Sequence, residues 1–380
     1  MLTAAMLTAA VLCASCGSAP PPAPRPGPPR PVLSRYETLT GRDIARDCGF
    51  STSLPSAPGR SLWLFCDTEI TSRQGDEIGL PILGTDTAAE GSSRAGSAPG
   101  LLSEVPTPRS PLASGTAGLA PRPFLMAPAD LTLPATDLPC AGPGVYQARW
   151  VTGVAREPGG SGHLLISYVD SCVSGSDVFT AEAFGLVDYD PVANVLGSPA
   201  QVFSTTPGEQ LLPAWILGSP VFSGGYLYLF SSCAPGGGCG APGVFLTRTL
   251  ATAADWQNGF SYQYWTGTGW SASPYSAVPL RAGSPLLMWA GDFSATGHGL
   301  VLVEQTSVGG NFTIWQAAAP TGPWRQLTAG RVPCGAGKRG HLDGLCRALI
   351  GHPELSTRSD LVMSFFNPGA NHVEVSAIRW

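Results

Sequence analysis

Leu62-Trp-Leu-Phe-Cys-Asp67, Leu165-Ile-Ser-Tyr-Val-Asp170, Leu227-Tyr-Leu-Phe-Ser-Ser232, Leu300-Val-Leu-Val-Glu-Gln305 and Val362-Met-Ser-Phe-Phe-Asn367 are five versions of one pattern. Each is a short apolar run rich in β-branched and aromatic residues. Each follows a Gly- or Ser-rich turn and ends on a polar residue, as a buried strand does. From Leu165 onward the runs begin 62, 73 and 62 residues apart. That period is longer than the ~40–50 residues of common propeller repeats and leaves room for four strands with generous loops. The first gap, 103 residues, carries an insertion. One four-stranded blade cannot bury both its faces alone, so such repeats stack around an axis. The pattern predicts an all-β fold, a five-bladed β-propeller over residues 37–380, with its function at the axis.

Composition agrees. The chain holds 48 Gly and 37 Pro in 380 residues and only 12% charged residues, against roughly 25% in ordinary soluble domains. Turns should be plentiful and helix scarce, since no period near 3.6 is sustained. Hydrophobic residues make up 43% of the chain, enough for a large core. The net charge is −5 and Lys338 is the only lysine, so no basic stripe exists to hold a phosphate backbone and nucleic acid is excluded as a partner. A Gly-x-Ser-x-Gly elbow is absent, which removes a Ser–His–Asp reading. Gly236-Gly-Gly238 lies between Cys233 and Cys239 and reads as the tip of a disulfide loop, not a phosphate cradle. No cofactor is expected.

Residues 1–16 are a short apolar segment ending in small residues before Cys16, the form of an export signal. Two readings of it stand: cleavage after a small residue, or lipidation of Cys16 as a lipoprotein anchor, the one route by which a membrane would be a partner. Its length falls short of the ~20 apolar residues that span a bilayer. Residues 17–36 follow as a Pro-rich spacer. The mature protein is expected at the cell surface or outside the cell, as a monomer.

Of the ten cysteines, eight lie beyond the signal segment and fall as sequence neighbours: Cys48 with Cys66, Cys140 with Cys172, Cys233 with Cys239, Cys334 with Cys346. Ser56-Ala-Pro-Gly59 sits midway between Cys48 and Cys66, so a hairpin would oppose them at nearly disulfide distance. No His stands at ligand spacing from these cysteines, and no metal is expected. Between residues 85 and 123 the chain is low in large apolar side chains and reads as a loop insertion, with Leu101-Leu-Ser-Glu104-Val-Pro-Thr-Pro108 as a candidate outer strand of blade one.

Arg46-Asp47-Cys-Gly-Phe-Ser51 followed by Ser61-Leu-Trp-Leu-Phe-Cys-Asp-Thr68 resembles the D-G-G-x-S … L-W-x-F-G-D-T opening of a family of secreted bacterial five-bladed propellers long labelled as a domain of unknown function, which includes endo-D-arabinofuranases. Gly218-Ser-Pro-Val221, Tyr264-Trp-Thr-Gly-Thr-Gly-Trp270 and Trp315-Gln-Ala-Ala-Ala-Pro-Thr-Gly-Pro-Trp324 are further echoes, the last similar also to arabinanase- and xylosidase-type propellers. The likeness spans about residues 40–380. Cys48 and Cys66 stand where the family carries Gly, and both departures fall on one predicted disulfide.

The resemblance implies a glycoside hydrolase, with an arabinan-type polysaccharide as partner. Such chemistry needs two carboxyl groups across the bond, ~5–5.5 Å apart for retention or ~6.5–9.5 Å for inversion. Asp47 opens the inner strand of blade one and Asp67 closes its neighbour, so a hairpin carries both to one end. Glu304 or Asp292, from the fourth blade, is the candidate partner across the axis. Asp43, Glu104, Asp170 and Glu354, with Arg149, Trp150 and His352, are candidate substrate contacts. An Asp at a strand end is also a common turn former. The alternatives are a carbohydrate-binding propeller without catalysis and a protein-interaction propeller, because fold alone does not fix function.

Overall fold

The computed structural model of the chain describes residues 30–31, 44–70, 82–100, 102–108, 123–125, 145–174, 178–204, 216–233, 241–283, 285–334, 345–370 and 372–380. Cys16 and the export segment, Asp43, Cys140, Cys239, most of the Pro-rich spacer and parts of the insertion lie outside them.

Five antiparallel sheets make up a five-bladed β-propeller. The first strand inside the described residues, β1 (Arg30–Pro31), belongs to the last blade. Blade one is β2 (Ile44–Ser53), β3 (Arg60–Ile70), β5 (Thr87–Ser92) and β6 (Ser103–Glu104), with β4 (Ile82–Gly84) paired to the end of β3. Blade two is β7 (Val145–Arg156), β8 (Leu164–Ser174), β9 (Val178–Asp190) and β10 (Val195–Leu196), with β11 (Ala200–Ser204) also on β9. Blade three runs β12 (Ile216–Ser223), β13 (Tyr226–Cys233), β14 (Gly243–Leu250), β15 (Gln263–Trp265) and β16 (Trp270–Ser271), and β17 (Arg281–Ala282) pairs with β14. Blade four is β18 (Leu287–Asp292), β19 (Leu300–Gln305), β20 (Asn311–Ala317) and β21 (Arg325–Arg331). Blade five is β22 (Arg347–Gly351), β23 (Asp360–Asn367), β24 (His372–Arg379) and then β1, which pairs Arg30 with Ala377 and Pro31 with Ser376. Two residues of the Pro-rich spacer thus form the outermost strand of the blade built from the other end of the chain. One α-helix, α1 (Ala253–Trp256), occurs among the described residues.

The five apolar runs are the second strands, β3, β8, β13, β19 and β23. They read as continuous apolar stretches because each is covered on both faces. In β3, Leu62 and Leu64 pack toward Val151 and Ile166 of blade two, while Trp63 and Phe65 pack toward Val362, Val373 and Val375 of blade five. Blades two and three meet through Leu165, Leu186, Leu227 and Leu229, and blades three and four through Val221, Phe230, Met288 and Leu302. Burying one such side chain stabilises the fold by about 1.5–3 kcal/mol, and no blade obtains that gain without its neighbour.

The inner strands β2, β7, β12, β18 and β22 line the axis in that order, and β22 returns to β2. Two contacts fix their direction. Arg347 at the start of β22 meets Asp47 near the start of β2, and His352 just past the end of β22 meets Ser51 near the end of β2. The entry end is where inner strands start and second strands finish; the far end is where inner strands finish.

Where inner strands of blades two and three meet, a Cβ on Gly153 would lie 2.4 Å from the Cα of Ser219. Gly153→Ala should therefore push two backbones apart and cost about 1–3 kcal/mol, the usual range for overpacking. Urea unfolding should show a lower midpoint with an unchanged slope; an unaltered midpoint would mean that the ring yields at this point.

Candidate functional site

The entry end gathers charge that the apolar strands cannot pack. In β2 the register shifts on both sides of Cys48, whose φ of 67° is left-handed. The bulge sets Cys48 opposite Phe65 instead of Cys66, one residue off direct opposition, and the Cys48–Cys66 disulfide closes across it with Cα atoms 5.4 Å apart. Asp47 and Asp67 adjoin the two half-cystines. Cys48 donates its backbone N–H to Asp47 Oδ1 at 2.7 Å.

The two carboxylates are held by different neighbours. Arg347, on blade five, donates Nε–H to Asp47 Oδ2 at 2.8 Å and lies 4.0 Å above the Phe366 ring. Trp150, on blade two, donates its indole N–H to Asp67 Oδ1 at 2.8 Å. Both aspartates are half-buried. Next to Trp150, Arg149 grips Asp170 through two bonds of 2.7 and 2.9 Å and stacks 4.3 Å over Tyr168. Arg46 is buried, ion-paired with Glu104 on the outer strand β6 and stacked 4.5 Å over Phe65.

These three arginines share a pattern. Each lies in the first half of an inner strand, and each stacks on the ring nineteen residues downstream: Arg46 on Phe65, Arg149 on Tyr168, Arg347 on Phe366. A guanidinium removed from water is costly unless paired; here a carboxylate pairs with its edge and an aromatic ring covers its face. Arg347 and Arg46 were not among the residues expected at the site. The nineteen-residue offset was the signal that could have found them.

The other candidates lie elsewhere. Glu304 is at the entry end but buried in the seam between blades three and four, receiving two bonds of 3.0 and 2.8 Å from Arg281 of blade three and one of 2.9 Å from the Trp315 indole of its own blade. Asp292 ends β18 and so sits at the far end, where its Oδ1 accepts from Ser294 N at 2.8 Å as a turn cap. His352 and Glu354 also lie at the far end, in the seam between blades five and one. His352 is fully buried, 4.6 Å from the Trp63 ring, with Nδ1 2.6 Å from Ser51 Oγ. Ser51 Oγ bonds Glu354 as well. Burial pushes the His352 pKa down to about 3 and the Glu354 pKa up to about 7. Asp292, His352 and Glu354 therefore do not converge with Asp47: the finish of an inner strand and the finish of a second strand are opposite ends of the propeller.

A second disulfide joins Cys334 and Cys346 between blades four and five, with Cα atoms 6.0 Å apart. Cys172 and Cys233 are disulfide-bonded too, while their expected partners Cys140 and Cys239 lie outside the described residues.

Neither a protein-family model nor a curated protein matches the chain. Solved structures similar in fold include a family 117 glycoside hydrolase of the marine bacterium Zobellia galactanivorans (11% identity, TM-score 0.46, 92% of this chain and 90% of that one). Others are a GH43_1 enzyme of Xanthomonas citri complexed with xylose (9%, 0.48, 92% and 89%) and an α-L-arabinanase of Penicillium chrysogenum complexed with arabinobiose (15%, 0.40, 90% and 79%). At these identities the likeness is one of fold.

The far-end cluster gives a signed pH dependence. Between about 4.5 and about 7 folded Glu354 keeps a proton that the unfolded chain has released, so its contribution to stability falls as pH rises through that window. His352, about 3 folded against 6.5 unfolded, acts oppositely and destabilises as pH falls from about 6.5 to about 3. Glu354→Gln removes only the first effect. Its stability relative to the wild type should therefore increase from pH 4.5 to pH 7.5 in urea titrations; a constant difference would show that Glu354 titrates normally.

Proposed function

We propose that the chain is a glycoside hydrolase acting at the entry end on a furanose polysaccharide of the arabinan type, with Asp47 and Asp67 as its carboxyl pair. One observation carries this reading. Two half-buried carboxylates adjoin a single disulfide at one end of the propeller, each with an oxygen fixed by a different neighbouring blade. One carboxyl would protonate the leaving oxygen while the other attacks or activates water. Arg347 and Trp150 are positioning residues, and Arg149 with Asp170 lies beside Trp150 as a substrate contact. The likeness of the segments around Asp47 and Asp67 to the arabinofuranase-containing family supports the substrate class. Glu304, saturated by Arg281 and Trp315, is left out of the pair. Export belongs to the same reading, because disulfides persist in oxidising compartments. Cys16 would be the lipid anchor.

Purified protein incubated with arabinan, arabinogalactan and xylan should release oligosaccharides from arabinan. Asp47→Asn and Asp67→Asn should each lower the rate on the order of 10²–10⁴-fold, the usual worth of a positioned acid or base, while still unfolding cooperatively. If both variants keep full rate, the chemistry lies elsewhere. If the wild type binds arabinan without cutting it, the propeller is a carbohydrate-binding module.

Trp150→Phe keeps the ring and deletes the donor to Asp67. A hydrogen bond to a charged group is worth about 1.5–3 kcal/mol, so kcat should fall roughly ten- to a hundredfold, with KM nearly unchanged. A change confined to KM would make Trp150 a substrate contact instead of a support for Asp67.

A further inference from the structure

At the far end of blade two, remote from Asp47, the hairpin between β7 and β8 carries a cluster that hydrolysis does not use. Glu157, His163 and Asp188 each offer one ligand atom, and these atoms all lie within 4.8 Å of one another. The turn is Glu157-Pro-Gly-Gly-Ser-Gly-His163, closed by the Glu157 N–H donating to the His163 carbonyl at 3.0 Å. Gly159, Gly160 and Gly162 all have positive φ, which folds the loop tightly enough to bring its two ends side by side. Asp188 and Asp190 stand two apart on β9 and so share a face. His163 Nδ1 lies 2.9 Å from both carboxylate oxygens of Asp188, and its Nε2 lies 3.9 Å from Asp190 Oδ2.

Three carboxylates therefore surround one imidazole. Among the described residues no arginine or lysine is ion-paired with Glu157, Asp188 or Asp190. Four other carboxylates, Asp47, Glu104, Asp170 and Glu304, are each matched by a guanidinium group, while buried Asp86 is held by the backbone N–H groups of Phe124 and Leu125. Here the one cationic partner is His163 itself, 2.9 Å from Asp188 and 3.9 Å from Asp190, so three carboxylates face at most one positive charge. We propose that this is a divalent-cation site of the zinc class, with Glu157, His163 and Asp188 as ligands. One imidazole nitrogen with carboxylate oxygens suits Zn²⁺, whereas Ca²⁺ and Mg²⁺ favour all-oxygen sets. The proton between His163 and Asp188 gives way to the ion, and water completes the coordination on the solvent side. Asp190 Oδ1 is committed to the backbone N–H groups of Val192 and Ala193 at 2.8 and 3.0 Å, so Asp190 adds charge at the rim. The bound ion ties the β7–β8 turn to β9.

The test is thermal unfolding of the full chain, stripped with EDTA and titrated with ZnCl₂. When free ion exceeds its Kd a hundredfold, Tm should rise by about 4 °C. Calorimetric titration should give one ion per chain. His163→Ala and Asp188→Asn should both abolish the rise, and Glu157→Gln should weaken it. If His163→Ala folds poorly, Asp188→Asn decides, because it keeps the side-chain size. The site is refuted if the wild type shows no rise, if both variants keep it, or if CaCl₂ or MgCl₂ produces the same rise as ZnCl₂. The readout is stability, so the outcome does not depend on whether the chain cleaves polysaccharide.

Discussion

Closure of the inner ring is the constraint on which the rest of this structure depends. The second strand of every blade buries both faces, so each blade owes its core to two neighbours, and the last seam forms only when blade five meets blade one. That seam is where Trp63 and Phe65 meet Val362 and Val373. β1 adds a backbone ladder between the chain's beginning and its last strand. The contacts that complete the fold are therefore among the longest in sequence, and the loop entropy of closing them is spent before they stabilise anything. Narrowness at the axis follows from the same closure. Inner strands approach until Gly153 faces Ser219 with no room for a side chain.

The ring also explains the use of charge. A chain with 12% charged residues spends several of them in buried or half-buried pairs at the entry end, and the cation paired with Asp47, Glu104 and Asp170 there is in each case arginine. A lysine ammonium offers neither a flat face for the ring beneath it nor a fork for the carboxylate beside it. Repeating the arginine-on-ring stack in blades five, one and two gives three adjacent blades the same polar finish. The pair between Arg347 and Asp47 spans two blades, while that between Arg149 and Asp170 stays within one. A salt bridge across a seam fixes how two blades are turned relative to each other; one within a blade fixes only a side chain.

Much of the architecture was legible in the sequence because double-faced burial writes an unbroken apolar run, and all five second strands carry one. The third strand of blade one was not legible. Thr87–Ser92 reads as part of an insertion because it is made of small residues, yet Ala88 and Ala89 are buried. A Cβ on Gly91 would lie 2.6 Å from Leu102 Cδ2, so the strand is small because Trp63 and Leu102 occupy the space. Glu104, by contrast, does lie on an outer strand of that blade, as its apolar neighbours suggested. β1 was hidden in the Pro-rich spacer, since an edge strand of two residues tolerates proline and leaves no periodicity. At the site, the cysteine pairing placed Asp47 and Asp67 at one end. It could not show the bulge at Cys48, which depends on a left-handed φ in a residue that seldom adopts one. Arg347 lies 300 residues from Asp47, and only the repeat in arginine-to-ring spacing, not local pattern, connects them.

The bulge, the disulfide and the two anchors bear on the proposed chemistry together. Two carboxyl groups on one hairpin would ordinarily keep a separation set by strand pairing, and side-chain rotation would blur it. Here the disulfide ties the backbone beside each aspartate to the other, while Arg347 pulls one carboxylate toward blade five and Trp150 pulls the other toward blade two. Their separation is thereby tied to the angles between three consecutive blades, which only the closed ring determines. A reacting pair must be held to within about 0.5 Å of its productive geometry. In this protein that tolerance is met by placing each carboxylate under the control of a different blade, so the packing that makes the fold also sets the distance on which the reaction depends.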